Sequence, residues 1–116
     1  MAARLNLTVI RVADLEASAA FYTLLGLSFE RHRHGKGPEH FATSVEGITF
    51  ELYPASPRSP VTVGTRIGFA VKNCDDAAAA LEAAGHSMES PPTDSPWGRR
   101  AVAIDPDGHR VELLAP

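Results

Sequence analysis

The chain has 116 residues, of which 44% are hydrophobic and 22% are charged, and its formal net charge is −3. This length predicts one domain, and the small acidic charge argues against a nucleic-acid or anionic membrane partner. The single cysteine, Cys74, excludes an intramolecular disulfide and a multi-cysteine metal site. The chain has no apolar run long enough to span a membrane, and its first residues lack the pattern of a signal peptide, so we expect a cytoplasmic protein.

The first half of the chain predicts one helix among four strands. Asp14 is a suitable N-cap, apolar residues follow it at helical spacing, and Gly26 is a suitable C-cap. Runs rich in Leu, Val, Ile and aromatic side chains predict strands before and after this helix. The predicted strands are 4–12, 27–34, 41–45 and 48–53.

The second half predicts the same succession of elements, which indicates an internal repeat. The predicted elements are a strand at 66–71, a helix at 75–84, a short strand at 87–89, a loop at 90–98 and strands at 99–104 and 109–114. The segment 47–52 also aligns with the segment 108–113. We therefore predict an α+β fold of two tandem βαβββ modules, with module 1 at about 4–53, a linker at 54–63 and module 2 at about 64–116.

Strand alternation sorts the side chains of each module onto two faces. The apolar members should pack against the helices, and the other members should line the inside of a cup. On the inside of the cup we expect two glutamates, Glu51 and Glu112, beside one arginine, Arg66. The further residues expected on this face are Tyr53, His32 and His34, with an apolar wall of Leu7 and Val9.

Short motifs in both halves of the chain resemble those of a known family. They are Val12-Ala13-Asp14-Leu15, Phe50-Glu51-Leu52-Tyr53, Arg66-Ile67-Gly68-Phe69-Ala70-Val71, Pro96-Trp97-Gly98-Arg99 and Asp105-Pro106-Asp107-Gly108-His109. In this order the motifs resemble the vicinal oxygen chelate superfamily, which includes glyoxalase I, extradiol dioxygenases, and fosfomycin and bleomycin resistance proteins. The resemblance covers nearly the whole chain and implies a single domain, 1–116, whose strands form a cup-shaped mixed sheet.

The resemblance also implies a metal site with four ligand positions, which correspond to Leu7, Glu51, Arg66 and Glu112. Leucine has no ligand atom and a guanidinium repels a cation, so only the two glutamates could bind a metal. We therefore expect no family-type metal and no other cofactor, and a divalent metal held by two carboxylates and water is the disfavoured alternative. Instead, we expect Arg66 to lie between the two carboxylates and to replace the charge of the metal.

A histidine-rich basic segment and a proline-rich loop supply further candidates for ligand binding. His32 and His34 share one side of a predicted strand, where they could bind a metal, contact a ligand or lie exposed in a hairpin, and we favour a ligand contact. His40, across the turn, is a weaker candidate. Trp97 of the loop and Arg99, the first residue of the strand after it, are further candidates, although Trp97 could equally anchor the loop on the sheet.

Four other residues are predicted to have structural roles. Cys74 lies at the start of a helix with no histidine near it in sequence, which favours a buried inert thiol over a nucleophile. His109 follows a turn and is expected to be structural. Phe21 and Tyr22 are expected to pack their helix onto its sheet.

The resemblance implies two alternatives for function. The favoured one is a small-molecule binding protein of the glyoxalase/bleomycin-resistance type with an incomplete metal site. The alternative is a glyoxalase-like lyase or isomerase that uses Glu51 or Glu112 as a general base. The resemblance further implies a homodimer, because cups in this family are commonly completed by modules from two chains. A cup formed within one chain is the other possibility.

Overall fold

The computed structural model describes residues 2–116, which form two four-stranded mixed sheets with one helix on each. The first sheet has the strand order β1-β4-β3-β2, and the second has the order β5-β8-β7-β6. In each sheet one pair is parallel, β1 with β4 and β5 with β8. The elements are β1 (Leu7–Val12), α1 (Leu15–Thr23), β2 (Glu30–His32), β3 (His40–Val45), β4 (Ile48–Pro54), β5 (Arg66–Ala70), α2 (Cys74–Ala83), β6 (Met88–Ser95), β7 (Gly98–Ile104) and β8 (Arg110–Ala115). The predicted α+β fold with two βαβββ units is confirmed.

Both helices begin at short polar caps. The Asp14 carboxylate accepts a hydrogen bond from the backbone N–H of Ala17 at 3.1 Å, as expected for an N-cap. The Asn73 side chain accepts in the same way from Asp76 at 3.0 Å, so α2 begins one residue before the predicted start. None of the helices among residues 2–116 is long and apolar enough to cross a membrane.

Two predicted boundaries were wrong, and both lie on sheet edges. Strand β6 continues to Ser95, although residues 90–98 were predicted as a loop because they contain three prolines. Pro91 and Pro92 are tolerated because β6 is an edge strand whose pairing with β7 is interrupted by register shifts. The opposite error occurs in β2, which has three residues rather than the predicted eight.

The two sheets meet through their helix-facing sides in one core. Phe50 of β4 contacts Phe69 of β5 with ring centroids 5.6 Å apart, and Tyr22 of α1 lies 5.8 Å from the same ring. Leu52 and Leu113 are fully buried on this side of β4 and β8. Because side chains alternate along each strand, the faces that carry Glu51 and Glu112 lie on the sides of the sheets away from this core.

A buried polar network joins the two units beside this core. The Asp105 carboxylate accepts hydrogen bonds from Tyr22 Oη at 2.7 Å and from His109 Nδ1 at 2.8 Å. His109 Nε2 is 2.8 Å from the Thr62 hydroxyl, and Thr62 in turn accepts from the backbone N–H of Arg11. His109 therefore has the structural position that was expected. Within residues 2–116, no buried side-chain nitrogen or oxygen is without a hydrogen-bond partner.

Candidate functional site

The outer face of the first sheet carries a cavity of about 590 Å³. Three of the residues predicted for the cup line it, namely His32, His34 and Glu51. Leu7 and Val9 of β1 are in register with Thr49 and Glu51 of β4, and they are 49% and 37% exposed. Both apolar residues thus lie on the predicted face, where they remain open to solvent. The other residues around the cavity are Gly26, Leu27, Ser28, Glu30, Ala42, Thr43, Ser44, Val45 and Thr49.

His40 is the most buried histidine next to this cavity, with 1% of its surface exposed. Its Nε2 atom lies 3.6 Å from the carboxylate of Glu51 and 3.4 Å from the hydroxyl of Tyr53. The His40 and Tyr53 rings are stacked, with centroids 4.2 Å apart. Sequence reasoning ranked His40 below its neighbours, but the pairing of β2 with β3 sets it directly opposite His32. The register of the β2–β3 hairpin is the signal that would have identified His40 as a site residue.

The outer face of the second sheet carries a smaller cavity of about 360 Å³, lined by Trp97, Arg100, Glu112 and Leu114. The Glu112 carboxylate accepts a hydrogen bond from Arg100 Nε at 2.5 Å and lies 3.5 Å from Arg66 Nη2. Trp97 lies in the β6–β7 turn and is 74% exposed. This cavity therefore places one carboxylate between two guanidinium groups beside an exposed indole.

Arg66 does not lie between the two glutamates in one chain, contrary to the expectation. It contacts Glu112, whereas Glu51 belongs to the cavity on the first sheet. The physical reason is that the sheets pack through their helix-facing sides, so their outer faces do not enclose a common space. Arg100, which sequence reasoning missed, is the second cation at Glu112.

Arg99 lies on the other side of β7 from Arg100. Its guanidinium donates to the carboxylate of Asp75 at 3.1 Å and to that of Asp94 at 3.2 Å. The hydrogen bond from Arg99 holds the pKa of Asp75 below its ordinary value. Arg99 thus connects β7 to the start of α2 and is not among the residues that line the second-sheet cavity.

The four positions that correspond to the metal ligands of the resembling family do not fit a metal in this chain. Leu7 offers no ligand atom, and the Arg66 guanidinium would repel the ion. The remaining two carboxylates, Glu51 and Glu112, line separate cavities, and Glu112 is already paired with two cations.

A different group of potential ligand atoms occurs in the turn before β8. One atom each from Asp105, Asp107 and His109 lie within 4.8 Å of one another. The Asp105 carboxylate already accepts four hydrogen bonds, and Asp107 accepts from Ala13 N at 3.0 Å and from Ser18 Oγ at 3.4 Å. These hydrogen bonds from protein donors account for the positions of the Asp105 and Asp107 side chains in the turn.

Comparison with known proteins gives the family. The sequence model of the Glyoxalase/Bleomycin resistance protein/Dioxygenase superfamily matches residues 4–113. The chain belongs to this superfamily. The resemblance inferred from the motifs is therefore confirmed.

Two proteins named as lactoylglutathione lyases are similar over most of this chain. A probable lactoylglutathione lyase of Vibrio parahaemolyticus is 29% identical, and the match covers 92% of this chain and 86% of that protein. A lactoylglutathione lyase of Schizosaccharomyces pombe is 28% identical over 97% of this chain, which spans only 47% of the yeast protein.

Solved structures support the same fold. A hypothetical protein of S. aureus, SA1046, has a TM-score of 0.79 at 23% identity, with 100% of this chain and 95% of that chain covered. TnmS3, an antibiotic binding protein from Streptomyces sp. CB03234, has a TM-score of 0.77 at 24% identity, with 99% and 97% covered. At these identities the structural similarity shows the fold alone.

Proposed function

We propose that this chain is a small-molecule binding protein of the glyoxalase/bleomycin-resistance type that works without the family's metal. The observation that carries the proposal is the pairing of Glu112 with Arg66 and Arg100. These cations occupy the surroundings of a carboxylate that would otherwise be a metal ligand. Charge-assisted hydrogen bonds to protein groups then replace metal coordination in this half of the site.

The second-sheet cavity favours a ligand that has both an anionic and an aromatic part. Two guanidinium groups face one carboxylate, so Arg66 and Arg100 keep N–H donors for a carboxylate or phosphate of the ligand. Trp97 and Leu114 supply apolar surface beside them. An exposed indole next to arginines is well suited to stack on a planar group.

We further propose that the two halves of the binding site come together in a homodimer. In one chain the two cavities open on different sheets, and Leu7 and Val9 expose apolar surface beside the first one. A second copy could cover this surface and bring its own second-sheet cavity opposite Glu51. The proposed partners are thus the small molecule and a second copy of this chain, without nucleic acid or membrane. A cytoplasmic location is part of the same proposal.

The test uses the fluorescence of Trp97, the single tryptophan of the chain. Aromatic carboxylates, their matched primary amides and thiohemiacetals are titrated against the wild type, Arg100→Gln and Arg58→Gln. We expect saturable changes with carboxylates and at least about tenfold weaker binding in Arg100→Gln. Arg58→Gln should bind as the wild type does, since Arg58 is an exposed residue of the segment that connects β4 to β5. The absence of a saturable signal with every compound would contradict the binding function.

A second candidate function is a glyoxalase-like lyase or isomerase. The names of the two relatives, both lactoylglutathione lyases, favour it. The side chain of Glu51 is only 17% exposed, and its carboxylate lies next to the buried imidazole of His40, an arrangement that could hold a general base. Turnover of a thiohemiacetal that is lost in Glu51→Gln, while the Trp97 binding signal persists, would establish this function. If the wild type binds these substrates but turns over none of them, the lyase or isomerase function is excluded and the binding function stands.

A further inference from the structure

Three histidines of the β2–β3 hairpin lie together: His32 and His34 line the first-sheet cavity, and His40 is buried beside them, next to Glu51. His32 pairs with His40 across the two strands, and His34, just beyond the end of β2, lines the same cavity as His32. The distances between ring centroids are 5.9 Å for His32 and His34, 5.9 Å for His32 and His40, and 5.2 Å for His34 and His40. The hairpin register thus creates a triangle of imidazoles with nearly equal sides.

These separations match the requirement of a transition-metal ion. With Zn–N bonds of about 2.0–2.1 Å, three imidazoles around one tetrahedral ion have ring centroids about 5 Å apart. Three histidines are also a ligand set that proteins use for zinc, with the fourth position left for water or another ligand. The three rings therefore have nearly this spacing, and their nitrogen atoms converge only after a change of side-chain rotamer.

The buried member of the triangle is oriented as a metal ligand would be. His40 Nδ1 lies 3.3 Å from the carbonyl oxygen of Pro38, to which it donates in the tautomer that leaves Nε2 unprotonated. A ligating histidine characteristically makes such a bond with its other ring nitrogen. Nε2 faces the Glu51 carboxylate at 3.6 Å and the Tyr53 hydroxyl at 3.4 Å. Glu51 is therefore close enough to serve as the fourth ligand or to offset the charge of the ion.

The other two histidines must turn for their nitrogen atoms to converge. The ring of His32 is stacked on that of His34 at 19° and on that of His40 at 22°, whereas the rings of His34 and His40 are tilted by 37°. His34 is exposed and His32 is 38% exposed, with a neighbouring carboxylate from Glu30 at 3.3 Å. Rotation of these two side chains is consequently not opposed by core packing.

We propose that His32, His34 and His40 bind Zn²⁺ at the first-sheet cavity, with Glu51 beside the ion. Only Glu51 belongs to the four family ligand positions, so this is a different site from the one that Leu7 and Arg66 exclude. The proposal does not rest on the binding function proposed above. Zn²⁺ can bind whether or not an organic ligand enters the cavity.

The test is a calorimetric titration of the full chain with ZnCl₂, accompanied by the absorption spectrum of the Co²⁺-loaded protein. Four proteins are compared: the wild type, His34→Gln, His40→Gln and the control His86→Gln. His86 contacts Phe21 edge-on and is the matched histidine outside the triangle. His34→Gln changes an exposed side chain and keeps the test valid should the buried His40 variant fold poorly.

We expect one Zn²⁺ per chain in the wild type and in His86→Gln, with the intense visible absorption of tetrahedral Co²⁺. Each substitution within the triangle should weaken Zn²⁺ binding at least about tenfold, since even loss of an outer partner of a ligand costs that much. The proposal is overturned if the wild type does not bind Zn²⁺, or if His34→Gln binds it as the wild type does. In the second case the ion is held elsewhere.

Discussion

Replacing Tyr22 by phenylalanine tests the buried network that joins the two sheets. The substitution removes one hydroxyl and keeps the ring that packs against Phe50 and Phe69. Tyr22 and the side chain of Asp105 are fully buried, and the bond between them is 2.7 Å long. We expect the variant to fold, with a free energy of unfolding that is lower by the contribution of this one hydrogen bond.

The magnitude follows from the partners that remain. A hydrogen bond to a charged group contributes about 1.5–3 kcal/mol to the free energy of unfolding. Asp105 keeps three other donors in the variant, namely Asp107 N, His109 N and His109 Nδ1, so no carboxylate oxygen is left without a partner. The loss for Tyr22→Phe should therefore stay within about 1.5–3 kcal/mol, measured by urea denaturation near neutral pH.

The pH dependence of stability in the wild type and in Tyr22→Phe gives a second, independent test of the network. Burial, followed by the charge of Asp105, raises the pKa of Tyr22 far above its ordinary value of about 10. The folded protein thus binds this proton more tightly than the unfolded chain, so stability is fully present below pH 10 and falls above it. The decrease due to Tyr22 is up to about 1.4 kcal/mol per pH unit. Tyr22→Phe lacks this component, and the gap between the two proteins should narrow above pH 10.

Tyr53→Phe is the matched control, because the Tyr53 hydroxyl makes only a long contact of 3.4 Å with His40 and lies outside the network. Its loss should be smaller than that of Tyr22→Phe. A loss below about 0.5 kcal/mol for Tyr22→Phe, or a gap to the wild type that stays constant up to pH 11, would refute the reasoning about the network.

Three further predictions concern single positions. Gly98→Ala should lower the free energy of unfolding by about 1–3 kcal/mol or more, since Gly98 has a φ of 133° and an added Cβ would lie 2.1 Å from the Ala115 oxygen. In the same denaturation assay the control Gly64→Ala should be nearly neutral, since no atom lies within 4 Å of the added Cβ. Burial raises the pKa of the Cys74 thiol, so Ellman's reagent should modify it much more slowly in the native protein than in urea, and equal rates would contradict its burial. Arg66→His should gain affinity for Mn²⁺ in calorimetry if Arg66 occupies a lost ligand position, and no gain would argue against that interpretation.

The sequence was sufficient to predict the faces of the strands. Alternation in β4 separates Phe50 and Leu52, which are buried, from Glu51, which lines the cavity. The same rule assigns Glu112 and Leu114 to the outer face of β8. Period-two patterns are reliable here because one face of each sheet is buried and the other is open.

The pairing of distant residues could not be predicted in the same way. The importance of His40 depends on the β2–β3 register, and β2 is too short for its pattern to fix that register. Arg99 and Arg100 are adjacent in sequence, and an irregular edge strand hides which of them lines the second-sheet cavity. The separation of Glu51 from Arg66 depends on how the two sheets pack against each other, and local sequence patterns do not determine that packing.

The most direct test of the central claim, that two chains complete one binding site, is the molar mass of the protein by light scattering at about 100 µM. The account predicts twice the chain mass of 12.4 kDa. It also predicts a shift toward the monomer in Leu7→Arg, which places a charge on the exposed apolar surface of β1. A wild-type mass of 12.4 kDa at this concentration would contradict the claim, because Glu51 and Glu112 line separate cavities in a single chain.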